Sequence, residues 1–303
     1  HILFDTHTYT IIITTLRDHR STKTTMSSSG NNDDAPEAAA AAASSTTTVC
    51  IDPDSLSVGG RYGLCISAVV PRPVAVITSI DNKGKVNCAP FSYSGISSHD
   101  PPIVTHGLCL SNGMKKDTLN NIEATGKWVF NVLSTNYLSQ ANQCSASLPP
   151  EINEAEVNGL KLLWDCQSFN TQEKEQGSSS SSVVGPPRLK AARVSMECHF
   201  VDKKEVFNDD GKHTTTIVMG RVRRFHISKE VYKQSDRSGT AAGSGSSSER
   251  PLVDLEALQA VGRAGDITYW PVGTGSVEVD IDDEEVDDNE SNKKKRRRKE
   301  TVL

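Results

Sequence analysis

Aromatic residues are scarce in this chain of 303 residues: Phe, Tyr and Trp together make up 5%, and hydrophobic residues only 36%. That is too little apolar material for a chain packed from end to end. The shortage is concentrated in Ser, Thr, Ala and acidic tracts, so one core of ordinary size with unstructured attachments is expected. No apolar run approaches the roughly 20 residues of a membrane-spanning helix, and no membrane partner is expected. Seven cysteines, Cys50, Cys65, Cys88, Cys109, Cys144, Cys166 and Cys198, show no C-x-x-C and no zinc spacing. They read as reduced thiols of an intracellular protein, with one redox-active pair left open. There is no G-x-G-x-x-G after a strand and no G-x-x-x-x-G-K-[ST], which removes the Rossmann and P-loop sites. Nor is there a His/Glu metal motif; His199 and His226 read as strand residues rather than ligands. A net charge of −5 and a pI near 5.9 give no reason to expect nucleic-acid binding.

What is present is one uninterrupted block, residues 71–132. Val74, Ala75, Val76 and Ile77 form an apolar run behind Pro71-Arg-Pro, which predicts a strand. Asp81-Asn-Lys-Gly84 predicts a turn with Gly84 at positive φ. A second strand carries Val86 toward Cys88 and Ala89, with Pro90 limiting its central pairing. Asp100-Pro-Pro stops the chain before a third strand from Ile103. Leu119 and Ile122 share one face of a predicted helix that ends near Gly126, and Trp128 opens another buried strand.

Around this block, folded chain is expected over residues 49–272, with a disordered leader over 1–48 and a disordered tail over 273–303. Tyr62-Gly-Leu-Cys-Ile-Ser predicts a first strand or a strap packed against the sheet. Residues 191–227 alternate about Asn208-Asp-Asp-Gly and predict a hairpin. Val194, Met196, Cys198 and Phe200 should share a face of it. Ser-rich stretches about 171–183 and 235–249 read as surface insertions, and 252–261 shows a helical period. Many strands with few helices indicate a mainly β fold, an antiparallel closed sheet. The tail carries an acidic block over 280–290 and a basic block over 293–299, both expected to stay solvated. The basic block matches a nuclear-import run; a cytoplasmic location is the main expectation, and a mitochondrial leader is disfavoured by Asp5 and Asp18.

The residues that could hold a phosphate are Thr78 and Ser79 at the end of a strand, the Lys116 cation, and Asp117 and Thr118 at a helix start, where free amides favour anions. Ordinary capping by Asp117 or Thr118 explains the same spacing. Arg72, held between two prolines, reads either as a phosphate or substrate contact or as a surface cation. Trp128, Trp164 and Trp270 read as packing residues.

In order along the chain, Pro71-Arg-Pro, Ile77-Thr-Ser, Asn87-x-Ala-Pro-Phe-Ser-Tyr, Ser97-Ser-His-Asp-Pro-Pro and Lys116-Asp-Thr-x-x-Asn-Ile resemble the flavoredoxin and flavin-reductase-like branch of the FMN-binding split-barrel proteins. The resemblance runs loosely over 61–170 and 188–270. It implies an FMN-binding split β-barrel, Greek-key-like with a few short helices. Thr78, Ser79, Lys116, Asp117 and Thr118, with Arg72, would help hold FMN, and Ala89, Phe91 and Ser92 would lie against its ring. Val261-Gly-Arg-Ala-Gly-Asp-Ile-Thr-Tyr resembles the family's terminal Gly-Arg-x-Gly-x-x-x-Tyr pattern, which makes Arg263 and Tyr269 candidates for contacting a nicotinamide or another substrate. No residue need act as acid or base, since hydride chemistry belongs to the cofactor. The resemblance further implies a homodimer, NADH or NADPH as electron donor, and a small-molecule or protein acceptor. Two alternatives stay open: a flavin-binding electron carrier without turnover, and an interaction protein acting through its charged tail.

Overall fold

The computed structural model describes residues 48–146, 148–149, 151–169, 185–235, 250–265, 268–272, 277–283 and 296–302. The chain divides into His1–Asp52 and Pro53–Leu303. Of the first unit only residues 48–52 are described, and they carry neither helix nor strand. The leader up to residue 47 and both Ser-rich stretches lie outside the described residues, apart from Ser235.

Where the sequence predicts a strand or strap, the second unit begins with a helix, α1 (Val58–Ala68). Ser57 sits extended at its N-cap, and its hydroxyl accepts from the Gly60 N–H, a standard cap interaction. Gly59, Gly60 and Gly63 weaken the intrinsic preference for helix, which is why the pattern misleads. The other end is secured from outside: the Arg72 guanidinium donates to the carbonyls of Ile66 and, at 3.0 Å, of Val69.

Next come β1 (Arg72–Pro73), β2 (Ala75–Ile80), β3 (Val86–Phe91), β4 (Ser94–His99) and β5 (Pro102–Cys109). The turn between β2 and β3 is as predicted, with Gly84 at φ 81 and Asp81 Oδ1 accepting from the amides of Lys83 and Lys85 at 2.8 Å. Helix α2 (Asp117–Thr125) ends on Gly126 at φ 67, and β6 (Lys127–Val132) follows. The two-stranded pair β7 (Leu162–Leu163) and β8 (Arg188–Leu189) leads into the long hairpin of β9 (Val194–Phe207) and β10 (His213–Ile227). Between β6 and β7 lie the short helices α3 (Leu138–Gln143) and α4 (Glu154–Val157).

Seven strands form one sheet in the order β3-β2-β6-β9-β10-β5-β4, antiparallel throughout. Its two edges, β3 and β4, are consecutive in sequence and joined only by Ser92 and Tyr93. Two edges tied by two residues must lie side by side, so the sheet curls into a barrel that is not closed by a β3–β4 ladder, a split barrel. The edge position also explains Pro90. β3 continues through it to Phe91, with Pro90 opposite Val76, because an edge strand tolerates a residue with no N–H to give.

The barrel interior is filled by Ala75, Ile77, Phe91, Leu108, Trp128 and Met196 among others, with Leu119 and Ile122 of α2 packed on them. Of the four residues predicted to share a face of β9, Met196 and Cys198 enter this core; Val194 belongs to a separate cluster with Val231 and Leu258, and Phe200 is exposed. Trp128 is fully buried, as predicted, whereas Trp164 and Trp270 are exposed. Gly220 sits at a register shift of the β9–β10 pair, where a Cβ would lie 2.1 Å from the Trp128 ring. A second core on the outer face of β2 and β3 joins Val74, Val76 and Cys88 to Tyr137, Ala141 and Cys144.

Past β11 (Tyr232–Ser235) and β12 (Arg250–Val253), the predicted helical period over 252–261 yields only the single turn α5 (Leu255–Leu258). β13 (Val261–Arg263) and β14 (Tyr269–Pro271) form a small sheet with β1. The charged tail, expected to be disordered and solvated, contributes β15 (Val277–Asp283) and β16 (Arg296–Val302), antiparallel with Asp280 opposite Lys299 and Asp283 opposite Arg296.

Candidate functional site

Strand alternation divides the predicted cofactor residues, because successive side chains of one strand face opposite sides of the sheet. Thr78 and Ser79 are both fully buried, yet they face different neighbours. The Thr78 hydroxyl donates to Pro187 O at 2.5 Å and accepts from Asn131 Nδ2 at 3.2 Å, which uses its one proton. Ser79 faces α2 and only accepts, from Asn121 Nδ2 at 3.1 Å. Its own O–H remains available to donate.

Thr118 repeats the Ser79 arrangement: buried, it accepts from Asn87 Nδ2 at 2.8 Å and keeps its proton. Neither it nor Asp117 is the cap residue. Lys116 holds the N-cap position with no side-chain capping bond; its carbonyl accepts from the amides of Leu119 and Asn120, which leaves the Asp117 and Thr118 amides at the helix start without an intrahelical partner. The Lys116 ammonium stands 5.7 Å from the centre of the Phe91 ring, and among the described residues it has no carboxylate partner. Phe91 is buried with its ring in the barrel core, and Ala89 packs beside it, partly buried. A free ammonium and unpaired helix-start amides are the donors a phosphate needs; the Ser79 and Thr118 hydroxyls are buried beneath them. The residues present therefore fit a phosphate-bearing cofactor on this side of β2 and β3.

A cavity of about 740 Å³ opens on the other side, lined by Val74, Pro90, Ser92, Asn142, Arg263 and Tyr269 among others. Arg263 and Tyr269 face one another across β13 and β14, with the guanidinium carbon 4.5 Å from the Tyr269 ring centre, and Tyr269 Oη donates to Asn142 Oδ1 at 3.0 Å. Gly262 makes the approach of β13 to β1 possible: a Cβ there would meet that of Pro71 at 2.6 Å. Ser92, predicted for the ring, and both residues predicted for the substrate thus share one cavity. Arg72 does not join them. It pairs with Arg263 in register, but its side chain is buried and spent on the carbonyls of Ile66, Val69 and Ala264, and its Nε has no partner.

Three buried polar groups received no role from the sequence, although Asn87 and Asn121 stand within the resembling motifs. Asn87 and Asn121 aim the hydroxyls of Thr118 and Ser79, as above. His106, fully buried, has its pKa lowered to about 3 by burial; it accepts from Trp128 Nε1 at 3.2 Å and meets Ser94 Oγ at 2.9 Å. Away from the cavity, ligand atoms of Cys166, Glu197 and His226 lie within 4.8 Å of one another. The Glu197 oxygens there already accept from the amides of Gln167 and Ser168 and from His226. No helix among the described residues is long and apolar enough to cross a membrane.

Comparison with known proteins gives the family and the fold. Residues 67–253 match the model of the flavin reductase like domain. The uncharacterized protein YwrF of Bacillus subtilis is 32% identical over 179 residues, 59% of this chain and 80% of that protein. Being bacterial, it lends no support to nuclear import through the basic block. Nitrilotriacetate monooxygenase component B of Bacillus cereus superposes with a TM-score of 0.62 at 25% identity, over 76% of this chain and 98% of that one. A Shewanella frigidimarina protein described as having a split barrel domain gives 0.51 at 18% identity, over 73% and 92%, and shows the fold alone. With that fold, and with the family model matching well over half of its length, the chain belongs to the flavin reductase like domain family.

Proposed function

We propose that the domain over 49–272 is an FMN-dependent oxidoreductase that accepts electrons from NADH or NADPH and passes them to a small-molecule or protein acceptor in the cytoplasm. The observation that carries this reading is the pairing of a phosphate-type donor set, the Lys116 ammonium and the Asp117 and Thr118 amides, with a cavity whose wall includes Ser92, Arg263 and Tyr269. Bound FMN would supply the hydride and electron-transfer chemistry, and the chain would supply binding and orientation. Lys116 and the amides at Asp117 and Thr118 would hold its phosphate, and Ser92, on the cavity wall, would border its ring, whereas Ala89 and Phe91 pack into the barrel core. Arg263, without a carboxylate partner among the described residues, holds the phosphates of the nicotinamide, and Tyr269 fixes the guanidinium from beneath. The chain has no second nucleotide-binding domain in the described residues, so the nicotinamide is held shallowly, which suits a reductase that meets several acceptors.

The test is anaerobic addition of NADH or NADPH to FMN-loaded protein. The flavin band at about 450 nm should bleach. Lys116→Ala is expected to remove one charge-assisted contact, about 1.5–3 kcal/mol, or roughly 10- to 100-fold in FMN affinity. Arg263→Ala should slow bleaching while leaving FMN affinity nearly unchanged. If dithionite bleaches the flavin and neither nicotinamide does, the chain is an electron carrier without turnover; if no FMN binds, the site assignment is wrong.

A homodimer belongs to the same reading. Tyr62, Leu64, Val69, Tyr93 and Ile96, on α1 and the β3–β4 edge, are exposed apolar residues, and exposed apolar groups of this kind favour a symmetric partner surface. Sedimentation at micromolar concentration with FMN should give a dimer, and a single monomeric species would refute it.

A further inference from the structure

Three donors of the kinds that bind transition metals converge beside the β9–β10 hairpin. The ligand atoms of Cys166, Glu197 and His226 all lie within 4.8 Å of one another. The backbone builds this placement. In the ladder Glu197 stands opposite Arg224 and His226 opposite Ser195, so His226 is the diagonal neighbour of Glu197, and its Nε2 donates to Glu197 Oε1 at 2.5 Å. Cys166 belongs to the segment that grips the same carboxylate: the amides of the next two residues, Gln167 and Ser168, donate to Glu197 at 3.2 and 2.7 Å. Just before it, Asp165 is held by two hydrogen bonds from Arg188, at 2.8 and 2.6 Å. Cys166 is buried, and its thiol donates no hydrogen bond among the described residues. The ion-pair partners of the fully buried Glu197 there are His226 and, at 4.0 Å, the exposed Arg224.

We propose that Cys166, Glu197 and His226 form a zinc site, with one sulfur, one oxygen and one nitrogen donor tying the segment around Cys166 to the hairpin. The donor types select the ion: thiolate and imidazole suit zinc, whereas magnesium and calcium take oxygen ligands. Zinc binds sulfur at about 2.3 Å and nitrogen or carboxylate oxygen at about 2.0–2.2 Å in a tetrahedron, so its donors stand roughly 3.3–3.6 Å apart. From the observed spread this takes side-chain shifts of about 1 Å, the sulfur closing in and the His226–Glu197 contact opening. As the Zn–S bond forms, the Cys166 thiol proton leaves to solvent. The His226 ring proton moves from Nε2 to Nδ1, which frees the Nε2 lone pair for the ion. A divalent ion, two anionic donors and one neutral donor sum to zero charge, which suits a buried site. The Gln167 and Ser168 amides keep hold of the carboxylate and orient it, and the fourth position is left to water. His226, read from sequence as a strand residue, is a ligand as well. The three donors lie far apart along the chain, so no metal-binding spacing marks them.

The test uses the full chain with Cys50→Ser, Cys65→Ser and Cys109→Ser as the parent protein, which removes the exposed thiols. After metal is stripped, zinc uptake is read by competition with a chromophoric chelator, and cobalt uptake by difference absorption against the metal-free protein. One zinc per chain and a sulfur-to-cobalt charge-transfer band are expected, with no competition from excess magnesium. Cys166→Ser should abolish that band and weaken zinc binding by more than the roughly 10- to 100-fold that loss of a supporting residue costs. His226→Gln, at a half-buried position, should lose zinc to a similar degree, which keeps the test decisive if Cys166→Ser fails to fold. No zinc uptake by the parent protein, uptake that survives either substitution, competition from magnesium, or bound cobalt without the sulfur band would overturn the proposal. The readout is metal uptake and needs no flavin turnover, so it is independent of the flavin reading.

Discussion

Alanine at Glu197 is expected to lower stability by about 3–5 kcal/mol at neutral pH, read as a fall in the urea midpoint. Glu197 is fully buried on β9, yet its carboxylate is saturated. It accepts from Gln167 N at 3.2 Å, Ser168 N at 2.7 Å and His226 Nε2 at 2.5 Å, with Arg224 Nε at 4.0 Å. Burial alone would raise its pKa; the bonds from His226 and Ser168 outweigh burial and hold it below the usual carboxylate value. Truncation leaves two amides and an imidazole without their acceptor at a part-buried site, and each unmet donor carries a desolvation cost. Glu197→Gln keeps the shape and one carbonyl acceptor, so it should cost clearly less. A change of less than about 0.5 kcal/mol in the alanine variant, the range of ordinary surface substitutions, would show that the network does not hold the 166–169 segment to the barrel.

The elements legible from sequence are those whose signals are local. Asp81 and Gly84 specify their own turn, Gly126 ends α2 at φ 67, and the alternation about Asn208 and Gly211 makes the long hairpin. α1 was not legible, because what stabilises its C-terminal end is Arg72, outside the helix, and a glycine-rich stretch carries no sign of a distant guanidinium. β4 was hidden for a related reason. Its Ser-Gly-Ile-Ser-Ser-His residues face solvent on a sheet edge and show no apolar period, and only pairing with β5 makes them a strand.

The site was legible in identity more than in orientation. Arg263 and Tyr269 were chosen by resemblance and do line one cavity with Ser92. Thr78 and Ser79 were read as a unit, but neighbours in a strand cannot face one ligand. The Asn131 and Pro187 partners that commit Thr78 come from β6 and from the segment before β8. Arg72 is the sharpest case: a cation between two prolines reads as a functional group, and the fold spends it on three carbonyls.

Acid is expected to destabilise the barrel well before its carboxylates titrate, and His106 is the reason. Trp128 Nε1–H donates to His106 Nε2, so Nε2 carries no proton. The proton sits on Nδ1 and is donated to Ser94 Oγ, whose own hydroxyl donates to Phe91 O at 3.1 Å. Protonating Nε2 would set two donors against each other inside the barrel core, far from water. Burial lowers the pKa from 6.5 to about 3 in the folded chain. Between these values the unfolded chain holds a proton that the folded chain does not, so stability falls as pH falls, by up to about 1.4 kcal/mol per pH unit. Above about pH 6.5 the group contributes no slope. By about pH 5 the loss should reach roughly 2 kcal/mol, before Glu197, whose pKa is depressed, begins to add a loss of the same sign below the ordinary carboxylate value of 4.5. His199, half-buried and also lowered by burial, acts in the same direction and remains as a background. Urea midpoints of wild type and His106→Gln across this range separate the terms, since glutamine can still accept from Trp128 and does not titrate. The variant should start less stable near neutrality and lose much less on acidification. If both proteins lose stability in parallel down to about pH 5, the acid sensitivity lies elsewhere and the buried His106 is not its source.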